Sequence, residues 1–173
     1  MSLSALAGKT AAILVTHGFN ESVLINLQKQ LNDAGIKAKM VSKENGLING
    51  WAGEQWGLSY PVDTVWRETL AVDYDIMIIP DGDQHLKALE ADSHAKRIMS
   101  AFLREKAPSL LIGGGVDLAK SLDLLGDIAP EYDTSVLMEG HVVVAGKSAE
   151  VSEMIDNLAH AVSNTTNNEV NAA

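Results

Sequence analysis

Three consecutive glycines, Gly113, Gly114 and Gly115, stand between the apolar run "SLLI" and the helical pattern "VDLAKSLDLLG". A strand that enters a tight turn and leaves as a helix presents the turn's apex side chain, and it aims helix N-terminal amides at the same spot. Ser or Cys at such an apex would serve acyl transfer. Glycine offers only backbone N–H groups, which can hold a small anion or let backbone pass close. The turn is not a phosphate loop, because no Gly-Lys-Ser or Gly-Lys-Thr follows. The dinucleotide fingerprint is missing too, since "THGFNE" after the first apolar run holds one glycine.

Five further residues could do chemistry near that turn. His17 follows the first apolar run, Asp81 and Asp83 follow "IMIIP" with His85 beside them, and Asp117 opens the helix after the glycines. A His17 pair with Asp81 or Asp117 would be a proton relay or a weak metal site. Simpler roles compete. Asp117 suits the first turn of a helix through the helix dipole, and Asp81 in "PDGD" suits a turn. No HExxH pattern or tight carboxylate–histidine cluster occurs, so no metal and no cofactor is expected. The candidate pocket is therefore His17, Asp81, Gly113, Gly114, Gly115 and Asp117, without an assigned catalytic residue.

These residues need a frame. Continuous apolar runs at 10–15, 74–80, 109–115 and 141–146 suit parallel strands covered on both faces. The alternating "IKAKMVS" is a fifth strand nearer an edge. Helical stripes lie between them. Val23, Leu24, Leu27 and Leu31 precede a stop at Gly35. Ala95, Ile98, Met99, Phe102 and Leu103 form a second stripe, and the pattern after the glycines ends at Gly126. Val151, Met154, Ile155, Leu158, Ala159 and Val162 form the last. Strand–helix alternation at this density predicts an α/β class, a doubly wound parallel sheet sandwich. In such sheets, sites lie outside the carboxyl ends of the strands.

Residues 44–66 break the alternation, with two Asn-Gly steps and Trp51, Trp56 and Trp66. Asn-Gly favours tight hairpin turns, so this stretch is expected to be a small hairpin insertion that caps the sheet or faces a partner subunit. The domain is expected over residues 1–163, with 164–173 a polar, disordered tail.

Composition narrows the partners. The 173 residues are 46% hydrophobic and 21% charged, with a formal net charge of −10. That charge disfavours nucleic acid and anionic membrane surfaces. No apolar stretch approaches the roughly 20 residues that span a bilayer, and the start has no basic, apolar leader, so a cytoplasmic location is expected. There is no cysteine, which excludes disulfides and thiol nucleophiles.

"KTAAILVTHGFNESVLINLQKQLNDAGIKAKMVS", "DYDIMIIPDG", "SLLIGGGVDLAKSLDLLGD" and "GHVVVAGKSAEVSEMIDNL", in this order, resemble the ThiJ/PfpI superfamily of class I glutamine-amidotransferase-like folds. "GGGVDLAK", "SYPVDTV" and "VVVAGKSA" are also similar to the C-terminal domains of large-subunit catalases. The resemblance places the family's nucleophilic cysteine at Gly113, its following histidine at Gly114, and its acid after the first strand at Val23. It thus implies a flavodoxin-like form of the sandwich and a cysteine-less, non-catalytic binding or structural module paired as a homodimer, while the amides of Gly113–Gly115 offer a place for a small anionic ligand. The alternatives are a divergent small-molecule enzyme using His17 with Asp81 or Asp117, and, by resemblance alone, a stress-related, chaperone-like protein.

Overall fold

The computed structural model describes residues 3–172. Its strands are β1 (Thr10–Leu14), β2 (Lys37–Ser42), β3 (Leu47–Trp51), β4 (Trp56–Pro61), β5 (Thr64–Val65), β6 (Ile76–Ile79), β7 (Ser109–Ile112), β8 (Val136–Glu139) and β9 (Val142–Ala145). Its α-helices are α1 (Glu21–Asp33), α2 (Asp83–Ala91), α3 (Ser93–Arg104), α4 (Gly114–Ser121) and α5 (Val151–Ala172). Seven strands form one sheet in the order β5-β2-β1-β6-β7-β9-β8, parallel except for β8 against β9. β3 and β4 form a separate antiparallel hairpin.

The inner strands β1, β6, β7 and β9 are almost entirely apolar because both faces are covered. Ile13, Ile76, Ile78, Leu110 and Val143 pack with α1 and α5 through Leu24, Leu27, Met154, Ile155 and Leu158. Leu14, Met77, Ile79, Leu111 and Val144 pack on the other face with Leu89, Ile98, Met99, Phe102 and Val116. Each such side chain, fully buried, stabilises the fold by about 1.5–3 kcal/mol before entropy is counted.

The helix ends follow local chemistry. Asn20 caps α1, accepting from the Val23 N–H, and Gly35 at φ 81° ends it while the Ile36 N–H returns to Leu31 O. Asp92 caps α3, accepting from the His94 and Ala95 N–H groups at 2.9 and 3.0 Å.

Several details depart from the expectations. α4 stops at Ser121, not at Gly126. Asp123 adopts φ 57° and the Leu124 N–H closes on Ala119 O at 3.0 Å, so an aspartate takes the left-handed stop usually given to glycine. The sequence pattern marks neither α2 nor β8, whereas β2 does lie near an edge, flanked only by the two-residue β5. The backbone of α5 runs through residues 164–172, where a disordered tail was expected; no glycine or proline interrupts the helix once it is nucleated. Ala173 lies outside the described residues. The hairpin is present, yet neither Asn-Gly step makes its turn. The turn is residues 52–55, closed by Ala52 N–H to Gln55 O at 2.9 Å with Gly53 at φ 95°. No described helix is long and apolar enough to cross a membrane.

Candidate functional site

The elbow joins β7 to α4 at the carboxyl edge of the sheet. Gly113 is held there at φ 56° and ψ −123°, with its N–H donated to Ala145 O on β9 at 2.8 Å. Positive φ of this kind favours glycine. Gly115 is buried, and a Cβ there would come 3.2 Å from Ile79 Cγ2, so its lack of a side chain lets α4 lie close on β6.

The space that a Gly113 side chain would take is filled. A Cβ added at Gly113 would lie 2.5 Å from Asp81 Cγ and 2.8 Å from both carboxylate oxygens. Asp81 Oδ1 accepts the Gly114 N–H at 2.9 Å. The carboxylate therefore caps α4 from a distant loop and takes one of the amides an external anion would use. With the Gly113 N–H given to Ala145, two of the three expected anion-holding amides already have partners.

Asp81 is fixed in turn. Its backbone carbonyl accepts the Asn20 N–H at 2.8 Å. Gly82, at φ 140°, lets the loop after β6 lie against Gly18 O, where any Cβ would collide with backbone. Beneath it, His85 on α2 is fully buried. Its Nδ1 accepts the Thr16 N–H at 3.2 Å and its Nε2 donates to Pro80 O at 2.8 Å. That pairing requires the neutral ring with hydrogen on Nε2. Burial pushes the imidazole down to about 4, opposed in part by the Pro80 hydrogen bond. His85 thus ties the loop after β1 to the loop after β6.

The other candidates separate. Asp117 is exposed on the first turn of α4 and lines, with Asp81, Gly113, Gly114, Pro130 and Lys147, an open cleft of about 390 Å³. His17 does not join them. It is exposed, and its Nδ1 accepts the Asn49 N–H of β3 at 3.1 Å, so it fastens the hairpin. Among the described residues, neither Asp81 nor Asp117 forms a hydrogen bond or ion pair with His17, and the expected relay is not assembled. Asp83 is exposed at the start of α2. No group of three or more His, Asp or Glu close enough for a metal ion occurs among the described residues.

A second cleft, of about 450 Å³, lies between Asp81–Asp83 and the hairpin and is lined by Asn20, Glu21, Ile25 and Trp51. No motif in the sequence marks Glu21. Its Oε2 accepts the Leu58 N–H at 2.7 Å, and a Cβ at Gly50 or Gly57 would collide with its carboxylate. Two glycines in a short hairpin beside an acidic first helical turn were the available signal. Tyr60, opposite on β4, has its phenol pushed up, first by burial and then by the Glu21 charge.

The model of the DJ-1/PfpI family matches residues 9–128, from β1 past α4. Over 122 residues the chain is 30% identical to general stress protein 18 of Bacillus subtilis (strain 168), covering 67% of each. A ThiJ/PfpI domain protein from Brachyspira murdochii superposes with a TM-score of 0.73 at 18% identity, over 93% of this chain and 98% of that one. A two-domain protein from Anabaena variabilis, with DJ-1/ThiJ/PfpI-like and ferritin-like domains, superposes at 0.75 and 17% identity, over 91% of this chain and 48% of that one. The flavodoxin-like α/β fold is common to this chain and those two structures. The catalase likeness rests on the sequence motifs alone.

Proposed function

The chain belongs to the DJ-1/PfpI family, and we propose that it acts as a binding or structural module without an elbow nucleophile. One observation carries this reading: the apex is Gly113, and the Asp81 carboxylate occupies the space of the missing side chain while capping the Gly114 amide. An amide so engaged is not free to stabilise an oxyanion. The absence of cysteine from the chain and the half-buried Val23 at the position of the family's acid support it further.

Ester hydrolysis, deglycation and 2-oxoaldehyde conversion should give no turnover above the uncatalysed blank. Turnover that disappears on Asp81→Asn, which keeps the side chain's size, would overturn the reading.

The proposed partner is a second copy of the chain, in the cytoplasm. Leu47, Trp51, Trp56 and Leu58 of the hairpin are exposed and supply an apolar surface for it. The likeness to a general stress protein supports a role under stress. Sedimentation should return a dimer that Trp56→Glu dissociates; a wild-type monomer at every concentration would refute the pairing.

A further inference from the structure

The hairpin segment holds two Asn-Gly steps four residues apart, Asn45-Gly46 and Asn49-Gly50, and the fold treats them oppositely. Asparagine before glycine is open to an intramolecular reaction. The glycine backbone nitrogen can close on the asparagine side-chain amide carbon, and the missing Cβ leaves that approach clear. The reaction needs an unengaged glycine N–H and a backbone free to bring the two groups together.

Asn45 and Gly46 meet those needs. Both are exposed in the bend between β2 and β3. Among the described residues the Gly46 N–H donates no hydrogen bond, and a Cβ at Gly46 would meet nothing within 4 Å. The Asn45 side chain likewise has no hydrogen-bond partner among them.

Asn49 is held at three points. Its backbone N–H donates to His17 Nδ1 at 3.1 Å, its carbonyl accepts the Gly18 N–H at 2.9 Å, and its side-chain Nδ2 donates to Ser59 Oγ at 2.9 Å. Its glycine, Gly50, is buried in β3 against the Glu21 carboxylate. Attack there would have to break the hairpin's attachment to the sheet.

We propose that Asn45 is a site of spontaneous deamidation through a succinimide, and that the fold protects Asn49 from the same reaction. The Gly46 nitrogen gives its proton to solvent base and bonds to Asn45 Cγ. The bond from Cγ to the side-chain nitrogen breaks, and ammonia leaves with a proton from solvent. Water then opens the ring at one carbonyl or the other, yielding aspartate or isoaspartate. The net change is addition of water and loss of ammonia, with nothing oxidised or reduced.

The position gives the reaction a consequence. Either product sets a new carboxylate beside Glu44, and isoaspartate also adds a methylene to the main chain. Gly46 O accepts the Val62 N–H at 2.9 Å, the hydrogen bond that closes the base of the hairpin. The modification therefore ages the clasp of the exposed apolar hairpin and leaves the core sheet untouched.

The test incubates full-length protein in mildly alkaline buffer, native and in urea, and follows both asparagines by peptide mapping, with isoaspartate read by enzymatic carboxyl methylation. In the native arm Asn45 should convert about tenfold faster than Asn49 or more, since Asn49 must wait for local opening. In urea the two rates should converge. His17→Ala should raise the native rate at Asn49, and Asn45→Gln should abolish the fast conversion. Equal native rates, faster conversion at Asn49, or no native conversion at Asn45 while it proceeds in urea would each overturn the proposal.

Discussion

At the elbow and at the hairpin, a carboxylate from another element sits where glycine leaves room, and it accepts a backbone N–H. Asp81 does this beside Gly113, and Glu21 does it between Gly50 and Gly57. The difference lies in what glycine is for. Gly113 is needed twice, once for its positive φ and once for the space; Gly50 and Gly57 have no positive φ and are needed for space alone. The elbow keeps the backbone of a turn built to present a side chain, with the presentation cancelled. The hairpin merely wraps a helix's first carboxylate.

Double-mutant cycles separate the two cases. Gly113→Ala should destabilise the protein most, by about 4 kcal/mol, from backbone strain together with collision with Asp81. In an Asp81→Ala background the same change should cost about 2 kcal/mol, the strain that removing the carboxylate cannot relieve. Denaturant unfolding of the four proteins measures this, and full rescue would break the distinction.

Next in size is acid. The elbow's neighbouring loops are tied by buried His85, the hairpin by exposed His17. His85 is neutral in the fold, with its value lowered from 6.5 to about 4. Between those limits the unfolded chain binds the extra proton, so stability is fully present above about pH 6.5 and is lost as pH falls toward 4. The loss from this group is roughly 3 kcal/mol. Stability measured against pH should show that slope, and His85→Gln should flatten it.

Gly57→Ala should cost about 2 kcal/mol by overpacking, yet fall to within about 0.5 kcal/mol of neutral in a Glu21→Ala background, because no strain remains. The smallest effect is a control on remote capping. Asp92 caps α3 from the adjacent position, and Asp92→Ala should cost about 1 kcal/mol with no coupling to Asp81. Coupling there would mean that the α4 cap is not local to the elbow.

Much of this frame is legible in the residues. The four apolar runs are strands because sheet faces covered on both sides leave few polar positions, the alternating run is a strand that stays exposed at Lys37 and Lys39, and the stripes at 23–31 and 95–103 mark the faces that α1 and α3 bury. α2 hides because "DQHLKALEA" is short and has only two buried positions, one of them a histidine. The Gly113 turn is legible as an elbow, but its filling is not, because Asp81 lies 32 residues earlier and only the fold brings it near. His17 misleads for a related reason. Strand polarity sets it at the correct edge, whereas its partner is decided by where β3 passes. The Asn-Gly steps favour turns, and the hairpin uses Gly53 instead, since Asn49 is committed to His17 and Ser59.

The three tryptophans report on these regions optically. Trp66 is 1% exposed and donates its indole N–H to Val41 O at 2.8 Å, so its fluorescence belongs at the blue end of the range. Trp51 and Trp56 are partly solvated on the hairpin, edge to face at 90° with ring centres 5.3 Å apart. That geometry gives an exciton couplet in circular dichroism while the pair stays together. One unlabelled molecule thus carries two spectrally distinct reporters, and the loosening of the hairpin can be followed while the sheet's own signal stays constant.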